Sequence, residues 1–227
     1  MIDEIRKRKN SVRAEKSSKF FKTDKGEYGE GDKFLGLSMP ECRTISKKYM
    51  QITLDDIEKL LNSQWHEERM IGLLIIVHKF EKASEEERKT LYNFYLEHLY
   101  AANNWDLVDV TVPQVIGRYL LDKDWSVLKR LARSQNLWER RTAILATFAF
   151  IYNGKAEPTL EIAKILLDDK HDLIHKAVGW MLREVGKRID QKIEEEFLNE
   201  YHKRMPRTML RYAVEKFDKK LKRKYYD

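Results

Sequence analysis

A tryptophan and an aspartate have the types and the spacing in this sequence that best suit chemistry. Trp105 and Asp109 lie in the segment NNWDLVDVTVP, residues 103–113. A separation of four places both side chains on one face of a helix. A tryptophan on an accessible face can stack against a sugar or a base. The neighbouring carboxylate of Asp109 is the candidate for a chemical role. Packing in a helical core is the alternative for Trp105.

The backbone beside Asp109 is expected to break. Pro113 has no N–H, so the carbonyl of Asp109 loses its usual helical partner. Thr111 and Gln114 also fit a capping box that opens a second helix. A functional position and an ordinary turn between two helices are both compatible with this pattern, and the spacing alone slightly favours the turn.

Other catalytic chemistries have little support in the sequence. His171 and His175 share a helix face but lack a third ligand and the HExxH pattern, so we expect no metal. Cys42 has no adjacent histidine, and its expected role is inert packing. Neither a GxSxG motif nor a phosphate-binding loop occurs, and the glycines of residues 23–36 do not form a dinucleotide fingerprint. We therefore expect no cofactor.

The composition indicates a helical protein of the cytoplasm. The 227 residues include only 9 glycines and 4 prolines, too few for a turn-rich β architecture. Cys42 is the single cysteine, which excludes an intramolecular disulfide and favours a reducing compartment. No apolar run approaches the roughly 18 residues of a membrane span, and the N-terminal residues lack the apolar stretch of a secretory signal. We expect no membrane partner.

Apolar periodicity positions several of the helices. Residues 54–61 and 70–80 carry helical apolar patterns, and Thr53 is a plausible cap for the first of them. Ser84, followed by three glutamates, predicts the start of a helix that runs to about residue 99. Residues 143–152 are apolar almost all round, which predicts a buried central helix. Residues 23–36 hold four glycines and predict a long loop.

The helices also show a degenerate repeat. A similar four-residue pattern recurs with spacings of 32 to 40 residues, and its second positions are Arg69, Asp109, Arg141, Lys176 and Arg211. Helix-pair solenoids repeat on this scale. The sequence therefore predicts one domain over residues 1–227, an all-α, HEAT-like superhelix of about six helix pairs with a concave face.

Four of the five repeat positions are cationic. Together with a net charge of +7 they predict a basic stripe on the concave face, suited to a phosphate backbone. Surface charges in register by chance are the alternative. Asp109 is the one acidic residue among these five positions, and its charge opposes the field of the cationic ones. An ion pair with Arg141 is the alternative explanation for an acid at this position. Trp138 and Trp180 also fall near repeat starts; the sequence favours the core for Trp138 and leaves Trp180 open.

Four motifs in order resemble the AlkD-type DNA alkylation repair glycosylases. They are Phe34-Leu35-Gly36 with Pro40 and Arg43, NWDLVD at residues 104–109 with Pro113, WERRTA at residues 138–143, and IHKAVGWMLREVG at residues 174–186. The likeness spans roughly residues 19–212.

The resemblance implies a HEAT-like α-solenoid that holds duplex DNA. It implies hydrolysis of the N-glycosidic bond of N3- and N7-alkylated purines, without a metal or other cofactor and without flipping the base into a pocket. It assigns the catalytic carboxylate to Asp109, the two active-site tryptophans to Trp105 and Trp180, and the active-site arginine to Arg141.

Further DNA contacts are expected around these residues. The resemblance places the N-terminal aromatic residue of the family at Tyr28. Lys176 and Arg183 are candidates for phosphate contacts, and the repeat positions add Arg69 and Arg211. The basic tail at residues 219–226 could add affinity for DNA, although a solvated, frayed helix end is an equal alternative.

Two rival functions remain open from the sequence. One is a non-catalytic relative that binds duplex or unusual DNA structures, and the other is a HEAT scaffold for an acidic protein. A single helical stack favours a monomer.

Overall fold

The computed structural model describes residues 1–226, and over these residues the protein is all-α, with fourteen α-helices and no β-strand. The first seven are α1 (Ile2–Lys7), α2 (Ser11–Phe20), α3 (Met39–Lys48), α4 (Leu54–Leu61), α5 (His66–Lys82), α6 (Glu85–Glu97) and α7 (Trp105–Val112). The others are α8 (Ser126–Ala132), α9 (Leu137–Tyr152), α10 (Glu157–Leu166), α11 (Asp172–Arg188), α12 (Gln191–Tyr201), α13 (Arg207–Ala213) and α14 (Lys219–Tyr226). The all-α prediction is confirmed.

Short irregular turns complete the described chain. Three are 3₁₀ turns, at Leu99–Ala101, His202–Arg204 and Val214–Lys216, and one is a π-helical turn at Pro113–Gly117. Among residues 1–226, no helix has both the length and the apolar character needed to cross a bilayer. The chain divides into two compact units, Met1–Thr111 and a second that begins at Val112. The prediction of a single domain stays a prediction.

Helix α5 is the centre of the first unit. Most of its residues are buried, and α3, α4 and α6 pack against it. Local sequence explains where two of these neighbours begin. The Thr53 hydroxyl accepts the N–H of Asp56 at 3.2 Å at the start of α4, and Ser84 forms a capping box with Glu87 at the start of α6. Both predicted helix starts are confirmed.

The glycine-rich segment at residues 23–36 is a loop, as predicted. Its last residue, Gly36, has φ +85° and lies against the backbone at the start of α2, so a side chain there would collide with that helix. The N–H of His66 donates to the carbonyl of Lys33 at 2.8 Å. The end of the loop is therefore tied to both α2 and α5.

Helix α9 is the centre of the second unit. It is buried along most of its length and packs against α8, α10, α11 and the π-helical turn, which confirms the buried helix predicted at residues 143–152. The basic tail forms α14. Its buried Tyr225 contacts the rings of Phe217 and His202 and donates a hydrogen bond to Asn199 at 3.2 Å. The tail is thus a docked helix.

Candidate functional site

Helix α7 carries the residues first selected from the sequence. One side of this helix is buried: Leu107, Val108 and Thr111. Trp105 and Asp109 are only partly buried. The fully buried Asn104 stands at the start of the helix, where its side-chain oxygen accepts the N–H of Trp105 at 2.8 Å. The face of α7 that keeps access to solvent therefore includes the tryptophan and the aspartate, one turn apart.

The predicted turn after Asp109 is wrong. The chain stays helical and widens into the π-helical turn at Pro113, which accommodates the missing N–H without a reversal of direction. Thr111 does not form the predicted capping box. Its hydroxyl donates to the carbonyl of Leu107 at 2.5 Å and lies 2.6 Å from the hydroxyl of Tyr95. Both side chains are buried, so this end of α7 is held firmly.

An aromatic cluster surrounds Trp105. The ring of Phe21 stacks on the indole with centroids 5.1 Å apart and planes at 29°. Phe20 meets the indole edge-on at 5.8 Å, and 64% of its surface is exposed. Neither phenylalanine was predicted as part of the site. Their signal is a pair of large aromatic residues at the end of α2, a helix that buries no residue of its own.

Phe34 and His66 extend this aromatic cluster beyond Phe21. The ring of Phe34 lies 5.1 Å from that of Phe21 at an angle of 12°, and the imidazole of His66 lies 4.5 Å from Phe34 at 24°. His66 is also 5.1 Å from Phe21. The first residue of α5 is therefore connected to Trp105 through stacked aromatic rings.

His66 is hydrogen-bonded at both ring nitrogens. Nδ1 lies 2.8 Å from a carboxylate oxygen of Asp32 in the loop, and Nε2 lies 2.9 Å from one of Asp106 on α7. Burial alone would lower the pKa of His66, but the two carboxylates outweigh it and raise the pKa to about 9. Burial would raise the pKa of Asp32, but His66 and Arg69 hold it below its ordinary value. These four side chains are named the loop–helix network below.

Arg69 belongs to this network rather than to an exposed stripe. It is only 5% exposed, and its guanidinium donates to Asp32 at 2.7 Å and to Asn103 at 2.9 Å. It also donates to the backbone carbonyls of Ala101 and Ser63. The burial of Arg69 differs from the surface position expected from the repeat, and three of these four partners lie more than thirty residues away in sequence. Its predicted phosphate contact stays a prediction.

Glu67 explains the Phe34-Leu35-Gly36 motif. Its buried carboxylate accepts the N–H groups of Leu35, Gly36 and Leu37 at 2.8, 2.7 and 3.1 Å. The carbonyl of Leu35 in turn accepts the N–H of Asn10 at 2.8 Å. Glu67 was not predicted from the sequence. Tyr28, the predicted N-terminal aromatic residue, lies half-buried in the same loop region.

In the second unit, Arg141 and Trp180 lie on α9 and α11. Arg141 is 5% exposed and donates to the carbonyl of Leu173, just after the start of α11, at 2.6 Å. Trp180 is half-buried, donates to Glu184 at 3.3 Å and tilts against the ring of Phe148 at 5.7 Å. Arg141 therefore ties α9 to α11 within this unit.

The other basic residues of the second unit that were predicted to contact DNA have different partners. Lys176 forms an ion pair with Asp172 at 2.7 Å. Arg183 pairs with Glu215 and, at 3.5 Å, with Glu184. Arg211 is exposed and lies 5.7 Å from the ring of Tyr212, its neighbour. Trp138, expected in the core, is half-buried near the start of α9.

The described chain, residues 1–226, contains no group of three or more His, Cys, Asp or Glu side chains that could hold a metal ion. The two histidines considered from the sequence have other partners. His171 caps α11 by accepting the N–H of Leu173 at 3.1 Å, and Nε2 of His175 lies 2.6 Å from the carbonyl of Asp169. Burial raises the pKa of the Cys42 thiol to about 12.

The comparisons identify the family. A family model described as "DNA alkylation repair enzyme" matches residues 1–217, and the chain belongs to this family. Among solved structures it is similar to a protein described as a predicted DNA alkylation repair enzyme from Enterococcus faecalis. That match has a TM-score of 0.73 and 19% identity and covers 93% of this chain and 98% of the other, which shows a shared fold. No curated protein matches the sequence. The family predicted from the motifs is confirmed.

Proposed function

We propose that this protein is a DNA glycosylase that hydrolyses the N-glycosidic bond of cationic N3- and N7-alkylated purines in duplex DNA. The helices would form one HEAT-like superhelix of about six pairs, with a concave basic face for the duplex. The family match over residues 1–217 and the recurrence of similar helix segments every 32 to 40 residues support this proposal. The family's name implies DNA as the substrate.

The observation that carries the proposal is the accessible face of α7. Asp109 and Trp105 are both partly exposed there, although the opposite side of the helix is buried. A carboxylate that packed beneath apolar side chains could not meet a substrate. The buried Asn104 and Thr111 hold the two ends of the helix, so the pair is presented from a rigid element.

The chemistry needs only these groups. An alkylated purine is already cationic, so its glycosidic bond is weakened and the leaving base needs no general acid. As the base departs, the sugar acquires oxocarbenium character, as in glycoside hydrolysis. The carboxylate of Asp109 would stabilise that charge or orient the attacking water. The indoles of Trp105 and Trp180 would add cation–π stabilisation, without flipping of the base into a pocket.

The remaining residues would hold the duplex. We assign Arg141 to a backbone phosphate near the lesion, and Lys176, Arg183 and Arg211 to further phosphates. Tyr28 and Arg69 complete the proposed contact set on the first unit. No metal or cofactor is required, and the protein would act as a monomer.

The direct test is release of N3-methyladenine and N7-methylguanine from methylated duplex DNA. The wild-type protein should release both bases, and Asp109→Asn should lose at least about 100-fold in release rate while it keeps duplex affinity. Asp55→Asn, in the exposed first turn of α4, is the matched control and should behave as wild type. Full release by Asp109→Asn would end the proposal.

A non-catalytic DNA-binding protein is the second candidate function, and one observation favours it. Phe21 stacks on one face of Trp105, so that face of the indole is covered and cannot meet a sugar or a base. If this second function holds, the protein binds unmodified and methylated duplexes equally, with strong salt dependence, and releases no base. The base-release assay therefore separates the two candidates.

A further inference from the structure

We propose that His66 is a positioning residue for the candidate site: it locks the first turn of α7 to the glycine-rich loop and so sets the orientation of Trp105 and Asp109. The consequence for base release rests on the proposed function. The lock itself does not, since it is a property of the first unit.

The imidazole of His66 lies between two carboxylates. Both ring nitrogens of His66 lie within hydrogen-bond distance of carboxylate oxygens, 2.8 Å for Asp32 and 2.9 Å for Asp106. A carboxylate only accepts hydrogen bonds, so each nitrogen must carry a proton to donate. A neutral imidazole has one N–H and could satisfy only one of these partners. With both aspartates ionised, the geometry therefore fits an imidazolium that donates to each of them.

The buried charges around His66 are balanced. The side chains of Asp32 and His66 are 1% and 4% exposed, and that of Asp106 is 13% exposed. Two carboxylates here face two cations, His66 and Arg69, with Arg69 bonded only to Asp32 within the network. Loss of the proton from His66 would leave Asp106 without a charged partner at a site with little access to water, which is costly.

Asp106 connects the buried charges to the candidate site. The other oxygen of Asp106 accepts the N–H of Leu107 at 2.9 Å, so one carboxylate holds both the first turn of α7 and the imidazolium. Trp105 precedes Asp106 directly, and Asp109 follows it by three residues on the same rigid helix. A shift of Asp106 would therefore move both. In addition, the ring of Phe21 lies between His66 and the indole.

The other charged groups near His66 do not replace its role. Glu67, on the same helix, is occupied by three backbone N–H groups of the loop. Cys42 of α3 lines the same small cavity, of about 130 Å³, but its pKa of about 12 keeps the thiol neutral. Asp32 and Arg69 are already paired with each other. His66 is thus the member of the network whose protonation can change between neutral and moderately alkaline pH.

The first experiment needs no variant. Two-bond ¹H–¹⁵N correlation spectra of the imidazole side chains should show His66 protonated at both nitrogens at pH 7.5, and the charge should be lost near pH 9. Hydrogen exchange of the α7 amides, corrected for the intrinsic effect of pH, should accelerate over the same alkaline range. A neutral His66 tautomer at pH 7.5 would overturn the proposal.

The second experiment uses Asp106→Asn, which keeps the shape of the side chain and removes its charge. We expect about tenfold faster exchange at residues 103–112 and in the loop at residues 23–36, and a base-release rate about 10- to 100-fold lower with unchanged duplex affinity. We also expect the wild-type release rate to decline above pH 9, where His66 loses its proton, and the release rate of the variant should lack that decline. Asp55→Asn is the control, since Asp55 is likewise the second residue of its helix but is exposed.

The two hypotheses fail in distinguishable ways. If the wild-type protein releases no base, the proposed glycosylase activity is wrong, and exchange in α7 still decides whether His66 acts as a lock. Unchanged α7 exchange in Asp106→Asn contradicts the lock, whatever the activity. Exchange that accelerates equally throughout the chain also contradicts it, because that result indicates a general loss of stability.

Discussion

Trp105 in the first unit and Trp180 in the second are held by different forces. In the first unit, the ring of Phe21 lies against both the indole of Trp105 and the imidazole of His66. His66 in turn belongs to a buried network of paired charges. In the second unit, Trp180 tilts against the ring of Phe148 and donates a hydrogen bond to Glu184, a buried carboxylate whose partner Arg188 is partly exposed. Removing one partner from a pair that is buried on both sides costs several kcal/mol, whereas a pair with a partly exposed member contributes less. We therefore expect the surroundings of Trp105 to be the more sensitive to loss of a charged partner, and the Arg188–Glu184 pair to be the more sensitive to salt.

The largest expected effect is the loss of Arg69. Arg69→Met leaves the buried Asp32 with His66 as its only charged partner, so the free energy of unfolding should fall by about 3–5 kcal/mol. Arg188→Met is the comparison in the second unit. Arg188 bonds Glu184 at 2.7 Å and lies over the ring of Tyr152 at 4.2 Å, and its loss should cost about 1 kcal/mol. Urea unfolding of both variants measures the difference; equal losses would remove the contrast between the units.

The next effect is the pH dependence of the first unit. The pKa of His66 is raised from 6.5 to about 9 on folding, so its stabilisation is complete below pH 6.5 and is lost as the pH rises through about 9. The loss should amount to roughly 3 kcal/mol. His66→Gln should lack this decline. Urea unfolding of both proteins at intervals from pH 6 to pH 10 checks it, and parallel curves would contradict it.

Glu194 of α12, in the second unit, contrasts with the hydrogen-bonded carboxylate of Asp32 in the first unit. Burial, reinforced by Glu195, raises the pKa of its carboxyl to about 8, and its Oε1 atom has no hydrogen-bond partner. Because the folded-state pKa lies above the unfolded value of 4.5, stability is greatest below pH 4.5 and falls as the pH rises through 8. Glu194→Gln should stabilise the protein by about 1–3 kcal/mol at pH 9 and have little effect at pH 4, as measured by thermal unfolding.

The smallest effect concerns Arg183. Its partner Glu215 is largely exposed, so Glu215→Gln should lower the free energy of unfolding by less than about 1 kcal/mol. The same change makes the guanidinium available to a phosphate and should raise duplex affinity about threefold at low salt. Glu196→Gln, an exposed change on α12, is the control. Equal duplex affinity in the two variants would remove Arg183 from the proposed contact set.

Local signals made the helices predictable. Thr53 and Ser84 begin helices because their hydroxyls cap nearby N–H groups, a property of three or four consecutive residues. The pairing of Trp105 with Asp109 likewise follows from helix geometry. By contrast, the π-helical turn was missed because Pro113 indicates only that a hydrogen bond is lost, and distant packing decides how the chain adapts.

The interior of the candidate site could not be predicted in this way. From the sequence alone, Arg69 fits a row of surface cations. Its partner Asp32 lies 37 residues away, and the sequence does not show that the two side chains meet. His66 contacts carboxylates 34 and 40 residues distant in the chain, and nothing in the neighbouring sequence indicates either contact. Pairings at such separations depend on the tertiary structure.

The three hydrogen bonds that the Glu67 carboxylate accepts from residues 35–37 have a consequence for solution behaviour. This extended stretch is apolar, and the edge of such a segment can recruit another extended chain and start aggregation. Here the N–H groups of Leu35, Gly36 and Leu37 are bonded to one carboxylate, and the carbonyl of Leu35 is bonded to Asn10. The bonds to Glu67 and the burial of residues 34–37 together thus keep this apolar segment from pairing with another chain.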